Sequence, residues 1–527
     1  MNNKARTPII IALSVVAGLL LGFFLIPGRS TLTVNRNKIN QVVSLVNEQY
    51  VDKVDMDSLE DEAIRSLLKN LDPHSVYLTS EEIKRENESL QGNFDGIGIQ
   101  FRIIEDTIVV IQPIASGPSQ KAGIMAGDRI IKVDGKTVCG KDITNEKVFK
   151  LLKGRKGTKV SISIRRSGIK EPIQYTITRD AIPIHSVDYF GMIDRNTAYI
   201  KLSQFSANSH AEVSEAMRKL NLSEQSQLIF DLRGNGGGYL DQAIKIAEEF
   251  LEPNDLILFT KGRYTGRKDY FVKADGNFTK GKMIILIDEA SASASEIIAG
   301  AMQDNDRACI MGRRTFGKGL VQEQKMLADG SAIRLTVSRY YTPSGRCIQR
   351  PYVSGDPEKY YTDFLERYVN MENHSDTISH ADSLKYKTKK GRTVYGGGGI
   401  EPDIELPYYL YKKSADYTTL LRKGLIYKFC FDYTDKNRKE FSIYGTGGEF
   451  LKNFKTSQNL YDSMIASAKA QKIELKNIPP EEEMEIKLLM KAYMAQNLYG
   501  DEYFYPIYLQ IDEDVQKCLT QFKNIRN

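Results

Sequence analysis

The sequence predicts a multidomain α/β chain, and three observations carry that expectation. The chain has 527 residues, more than one hydrophobic core organises, so several domains are expected. Between residues 180 and 407, apolar runs of strand length alternate with helical patterns, as in an α/β layer. On either side the pattern changes, to short β-like runs before this stretch and helical periodicity after it. The expected order is an amino-terminal membrane anchor (1–30), a helical lead-in (31–92), a β-rich module (93–179), the α/β core (180–407) and a helical carboxy-terminal region (408–527).

Composition narrows the function classes. Hydrophobic residues make up 41% and charged residues 27%, as in ordinary globular chains. The formal charge of +6 is spread thinly, with no basic tract and no aromatic–basic repeat, so nucleic acid is not an expected partner. The five cysteines (Cys139, Cys309, Cys347, Cys430 and Cys518) form no CxxC pair, so neither a disulfide framework nor a zinc site is expected. One isolated disulfide stays open. No metal and no cofactor is required by any motif found.

Residues Thr7 to Gly28 carry no charge and follow Lys4 and Arg6. At about 1.5 Å per residue the run is long enough to cross a bilayer. No Ala-x-Ala cleavage site follows and no cysteine offers a lipid anchor, so a retained signal anchor is expected. The bulk of the protein is then expected outside the cytoplasm, periplasmic and tied to the cytoplasmic membrane.

In the lead-in, Ile39, Val42, Val43, Val46 and Tyr50 recur at helical spacing, and a second helix is expected over Leu59 to Leu68. Leu71-Asp72-Pro73-His74-Ser75 ends it, because Pro73 cannot continue a helix. His74 has no partner nearby in sequence and is read as a turn residue.

The β-rich module shows runs at Ile97 to Ile103, Thr107 to Ile111, Arg129 to Val133, Val160 to Arg165 and Ile173 to Thr178. Asp134-Gly135 is a hairpin turn, and a helix is expected over Asn145 to Leu152. Gly96-Ile97-Gly98-Ile99 opens the module. Its two glycines let successive N–H groups converge on a carboxylate, and Ile99 and its neighbours then pair with an extended peptide by strand addition. An ordinary glycine turn in a small barrel is the bland alternative.

In the core, Leu228 to Leu232 reads as a buried strand running into Arg233-Gly234-Asn235-Gly236-Gly237-Gly238, with a helix from Leu240 to Phe250. The turn lacks the Gly-Lys-Ser/Thr ending of a phosphate loop, so a nucleotide is not expected. Glycines there let the backbone approach a substrate carbonyl, which suits an oxyanion donor. A second strand, Met283 to Ile287, leads into Ser291-Ala292-Ser293-Ala294-Ser295-Glu296 and a helix. A serine at such a turn is placed as a nucleophile, with free helix N–H groups behind it. It needs a base, and the glycine-flanked Lys318 is the candidate, provided that burial depresses its pKa. Residue types alone leave a second reading open: Ser293 and Glu296 also form a capping box.

Asp304 lies about three turns along that helix from Ser293, roughly 16 Å at 1.5 Å per residue. It is read as structural, a partner for an arginine or a loop N–H. Gln322, four residues after Lys318 in an apparent strand, is placed to orient the lysine. Pro351 to Lys389 is polar and tyrosine-rich and reads as an insertion or mobile loop. Beyond it, Pro479-Pro480 before three glutamates starts a helix that Gly500 stops.

Together these motifs resemble the C-terminal processing, or tail-specific, proteases. Ser-Ala-Ser-Ala-Ser-Glu-Ile with Gly-Lys-Gly-Leu-Val-Gln matches that family's active site. The resemblance implies Ser293 as nucleophile, Lys318 as base and Gln322 as its orienter. Asp-Leu-Arg-Gly-Asn-Gly-Gly-Gly matches its oxyanion segment, implying a donor at Gly237 or Gly238 beside the N–H of Ala294. The β-rich module is similar to a PDZ domain, with Gly96, Ile97, Gly98 and Ile99 at the carboxylate-binding loop. Leu-Asp-Pro-His-Ser-Val-Tyr-Leu, Thr-Pro-Ser-Gly-Arg and Gly-Gly-Ile-Glu-Pro-Asp also match. The implied core is crotonase/ClpP-like, the implied substrates are proteins with free apolar C-terminal tails, and the lead-in is implied to aid dimerisation. The module is expected to gate the site. The rivals are an inert scaffold that binds tails and a Ser–Lys amidase acting on small molecules.

Overall fold

The computed structural model describes residues 14–15, 37–372 and 384–524. The expected anchor, Thr7 to Gly28, thus lies outside the described residues except for Ser14 and Val15. Among the described residues, no helix is long and apolar enough to cross a membrane.

The chain divides into two units, residues 1–71 and 72–527. The first holds helices α1 (Asn37–Gln49) and α2 (Met56–Lys69). Asp55 caps α2 by accepting from the Ser58 N–H.

The second unit opens with a short strand β1 (Val76–Leu78) and helix α3 (Ser80–Gln91). The sequence reading missed α3. Its apolar residues are few, and a full capping box between Thr79 and Glu82 starts it. The β-rich module then builds one sheet in the order β3 (Ile99–Ile104), β4 (Thr107–Pro113), β5 (Arg129–Val133), β7 (Lys159–Arg165), β8 (Ile173–Thr178), with β6 (Lys136–Thr137) hairpinned to β5. Strands β2 (Asn93–Gly96) and β9 (Asp180–Pro183) pair with each other at its root. Helix α4 (Pro118–Ala122) follows β4, and α5 (Asn145–Leu152) spans the residues that the periodicity predicts.

The core sheet runs β10 (Val187–Met192), β11 (Thr197–Leu202), β12 (Gln227–Asp231), β15 (Lys282–Ile287), β16 (Cys309–Gly312), β21 (Ile404–Glu405), parallel except for β10. The crossover connections between parallel strands carry α6 (Ser209–Lys219), α7 (Leu240–Glu248) and α8 (Ala294–Asp304), whose apolar faces close over one side. A second sheet sets β1, β18 (Ala332–Tyr341), β13 (Leu256–Gly262) and β14 (Gly266–Phe271) side by side, with β17 (Leu320–Met326) on β18. The polar segment read as a loop contains helix α9 (Pro357–Glu372) and, after residues outside the description, strand β19 (Lys385–Lys387), which pairs with β20 (Thr393–Tyr395) just beyond the segment.

The carboxy-terminal region is helical as expected: α10 (Ala415–Arg422), α11 (Leu425–Lys436), α12 (Gly447–Asn453), α13 (Gln458–Ala470), α14 (Pro480–Tyr499) and α15 (Glu513–Gln521). It does not pack only on itself. Val515 and Cys518 of α15, with Phe522 at its end, cover the other face of the core sheet at Ile229, Ile284 and Leu286. Tyr427 and Phe431 of α11 cover Val109 and Ile111 of β4. Arg129 pairs with Asp435 at 3.0 Å, and the Arg102 guanidinium lies 3.9 Å from the centre of the Tyr427 ring.

Candidate active site

Ligands of open parallel sheets bind beyond the carboxyl ends of the strands. The carboxyl ends of β12, β15 and β16 run into three turns here: Leu232–Tyr239, Asp288–Ser293 and Arg313–Gly319. Hydrogen bonds lace the first two turns together. The Ser291 hydroxyl donates to the Leu232 carbonyl at 2.8 Å, the Ser295 hydroxyl to the Asn235 carbonyl at 2.8 Å, and the Ala292 N–H to the same Asn235 carbonyl at 3.0 Å. Ser291 and Ser295 are fully buried, whereas Ser293 between them is not. Ser293 sits at φ 55° and ψ −110°, a region that non-glycine residues seldom occupy. Its hydroxyl, unlike those of Ser291 and Ser295, donates to no buried carbonyl among the described residues.

Glu296 joins the second turn to the third. It is fully buried. One of its oxygens, Oε2, accepts the N–H of Ser293 at 2.8 Å and the N–H of Lys318 at 2.8 Å. The other, Oε1, accepts the Thr315 hydroxyl at 2.6 Å and the Gly317 N–H at 2.7 Å. The backbones of Ser293 and Lys318 therefore lie within two hydrogen-bond lengths of each other. The capping box that the spacing predicts is present, and its carboxylate also binds the loop of the candidate base. Burial raises the Glu296 pKa even against these four donors.

Lys318 is half-buried. Burial and the nearby charge of Arg334 lower its pKa, against the pull of Glu296, Asp72 and Glu86. Gln322 lies on β17, and its amide nitrogen donates to the His74 carbonyl. That bond ties β17 to the lead-in through the nitrogen end of the amide alone.

That tie brings in a residue that the sequence reading set aside. The turn Asp72–Ser75 is fastened to β18, with Thr336 donating its hydroxyl to Asp72 at 3.1 Å and its N–H to the Ser75 hydroxyl at 3.1 Å. Thr336 is the register partner of Gln322. His74 consequently stands beside Lys318, with Nε2 3.3 Å from the Tyr360 hydroxyl of α9. Burial and the Lys318 charge lower its pKa to about 4. Its partners are far away in sequence, so local reading could not find them.

Gly237 and Gly238 lie against the nucleophile turn. A Cβ on Gly237, at φ 103°, would fall 2.9 Å from Ser293 Cβ and 3.0 Å from the Ala294 nitrogen. No side chain fits there. The Gly237 N–H already donates to Asn235 Oδ1 at 2.9 Å. Phe205 straddles Gly238, donating to the Gly237 carbonyl at 3.0 Å and accepting from Tyr239 at 2.8 Å. The Gly238 N–H has no acceptor among the described residues. Ala294 is the first residue of α8, so its N–H has no partner within the helix.

Asp304 behaves as expected of a structural residue. It pairs with the buried Arg346 at 2.8 Å and accepts the Ser344 N–H at 3.0 Å.

In the β-rich module, β3 is an edge of its sheet. Phe101 on β3 meets Phe149 on α5 at 5.5 Å between ring centres. Gly98 adopts φ 72°, with Ile182 only 2.9 Å from the place of a Cβ. Gly96 is instead a strand residue paired with Asp180, and Ile97 is buried. Of the two glycines, only Gly98 needs its conformational freedom.

Comparison with known proteins agrees with this layout. Residues 196–358 match peptidase family S41, residues 96–176 a PDZ domain, residues 28–82 the N-terminal domain of the activating protease CtpB, and residues 416–500 a family of unknown function. The chain is 36% identical over 365 residues to a carboxy-terminal-processing protease of Bartonella bacilliformis, covering 66% of this chain and 83% of that one. It is 34% identical over 360 residues to the processing protease CtpA of Bacillus subtilis, covering 66% and 76%. Against CtpB of the same organism the identity is 32% over 361 residues, covering 66% and 74%.

Proposed function

Because the chain belongs to peptidase family S41, among the carboxy-terminal processing proteases, and is a serine-type peptidase, we propose that it cleaves protein substrates with a Ser293–Lys318 dyad after holding their C-terminal tails in the PDZ domain. The observation that carries the dyad is the single Glu296 oxygen that accepts the N–H of both residues.

Lys318, neutral in its half-buried loop, takes the proton from Ser293 Oγ as that oxygen attacks the scissile carbonyl carbon. The N–H groups of Ala294 and Gly238 stabilise the oxyanion. Gly238 is preferred over Gly237, whose N–H is already committed to Asn235. Protonated Lys318 returns the proton to the departing amine. Neutral again, it activates the water that hydrolyses the acyl-enzyme. Gln322 acts on this pair by holding the His74 turn over it. In the PDZ domain, the loop at Gly96–Ile99 takes the tail carboxylate and the β3 edge pairs with the peptide.

Digestion of an unfolded protein with an apolar C-terminus tests the reading. Wild type should cleave it, and Ser293→Ala and Lys318→Ala, both folded, should not. Amidating the tail should weaken binding and slow cleavage. Cleavage that survives Ser293→Ala would refute the dyad. The uncharged run Thr7 to Gly28 supports an envelope location with the catalytic part outside the cytoplasm. Digestion of the catalytic part by a protease added to spheroplasts would test it, and protection there would refute it.

A further inference from the structure

The carboxy-terminal helices carry no assigned role, yet two of their acids reach the roots of all three catalytic turns. Arg233 begins the turn that leads to Gly238. Its guanidinium grips Asp231 on one side, with Nη2 2.6 Å from Oδ2. On the other it grips Asp512 twice, at 3.2 and 2.9 Å. Asp514 Oδ2 lies 3.0 Å from Arg233 Nη1 and 3.1 Å from Arg313 Nη1. Arg313 starts the loop that carries Lys318, and its Nε reaches Glu289 of the nucleophile turn at 3.2 Å. The side chains of this cluster are at most 16% exposed. Three cations (Lys201, Arg233 and Arg313) face four carboxylates (Asp231, Asp512, Asp514 and Glu289).

The acids are themselves held. Asp512 is the N-cap of α15, and α15 is pinned by Val515, Cys518 and Phe522 beneath the strands that end in the first two turns. Asp514 Oδ1 has no hydrogen-bond partner among the described residues, so the carboxylate is held through the oxygen that the two arginines share. Rigid packing behind a charged fork is how a fold fixes a loop to the tolerance that catalysis needs.

We propose that α15 is part of the catalytic apparatus: Asp512 and Asp514 are positioning residues that hold the oxyanion turn through Arg233 and the base-carrying loop through Arg313. The inference rests on the serine-protease reading. Neither acid touches substrate. Their effect is on where the Gly238 N–H and Lys318 stand when the carbonyl arrives, and a misplacement on the order of 1 Å costs about 100-fold in rate.

The test compares full-length wild type, Asp512→Asn and Asp514→Asn. Asparagine at 512 keeps a residue that caps helices well, so α15 should persist while the negative charge facing Arg233 is lost. The expected result is a 10- to 100-fold fall in kcat, KM within about three-fold, and unchanged binding of a tail peptide. Hydrogen exchange should quicken in residues 232–240 and 313–319 and stay the same in α6 and in the PDZ sheet. A kcat within two-fold of wild type with unchanged exchange would overturn the proposal. So would a global rise in exchange, or failure of both variants to fold, since either makes the role structural only. A wild type that cleaves nothing would count against the protease reading, while the exchange result would still decide whether the acids position the turns.

Discussion

A hydroxyl that already donates to a buried carbonyl cannot give its proton to a base without leaving that carbonyl unpaired. Ser291 and Ser295 are in that position and Ser293 is not, so the three serines of one turn should separate cleanly. Ser291→Ala and Ser295→Ala should each lose about 1–2 kcal/mol of stability in urea unfolding and keep activity within a few-fold. Ser293→Ala should lose about 1 kcal/mol as a helix cap and lose activity altogether. Charge states divide the neighbours in the same way. Lys318 works as a base only when neutral, and burial together with Arg334 lowers its pKa. The kcat/KM profile should therefore rise with pH and level off below the ordinary lysine value, and Lys318→Arg should be inactive across the range. His74 ionises on the acid side, at about 4 in the fold against an ordinary histidine value of 6.5. Between those values the unfolded chain binds more protons, so stability should fall as the pH drops from 6.5 towards 4 and be flat above. His74→Gln should remove at most roughly 2 kcal/mol of the stability difference between about pH 7.5 and pH 5, read by urea unfolding at those two values.

At the scale of elements, the site is a set of turns and helix ends whose neighbours exclude alternatives. Gly237 shows how tight that exclusion is. With Ala292 O, Ser293 Cβ and the Ala294 nitrogen all within 3.0 Å of a Cβ there, Gly237→Ala must push the two turns apart. Loss of one oxyanion donor costs about 100- to 1,000-fold. A fall of that size in kcat, with tail-peptide affinity unchanged, is expected. The turns themselves were legible in the sequence. Strand β15 is a continuous apolar run, β12 nearly so, and α8 starts where small residues give way to Glu296-Ile297-Ile298. Two helices beside the site were not legible. In α3 the run Ser-Glu-Glu-Ile-Lys-Arg-Glu-Asn-Glu-Ser-Leu-Gln offers two apolar residues, and its start is fixed by a cap rather than by periodicity. In α9 the signal was present but short: Tyr360 and Phe364, one turn apart, pack on Phe316 and on the Arg350 guanidinium. Gln322 was placed on the right strand, but its tie to His74 was not legible. Spacing fixes what a residue can reach along its own element, whereas the His74 carbonyl arrives from 248 positions away.

The whole molecule joins the PDZ domain to the catalytic core through the carboxy-terminal helices as well as through the chain itself. Val109 and Ile111 are buried against Tyr427 and Phe431, the Arg129–Asp435 pair lies at the same face, and Gln112 donates to Asp501 at 2.9 Å. Swinging the domain would strip that apolar face and break the Arg129–Asp435 pair, a cost of several kcal/mol that comes chiefly from the exposed apolar area. A bound tail peptide gains that much only if it prefers the swung state by the same amount. The proposed peptide edge, β3, meets α5 through Phe101 and Phe149, whereas α11 covers β4. Tail capture should then act by tethering. It raises the local concentration of scissile chain near Ser293 without switching the site on. A short peptide with an apolar free C-terminus, added in trans, is therefore expected to inhibit cleavage of a tailed protein by competition. It should leave unchanged the slow cleavage of a substrate whose tail is amidated. Stimulation of that slow cleavage by the peptide would mean that the domain gates the site after all. The face between β4 and α11 would then be the place to look for the movement, by hydrogen exchange at residues 107–113 and 425–436 with and without peptide.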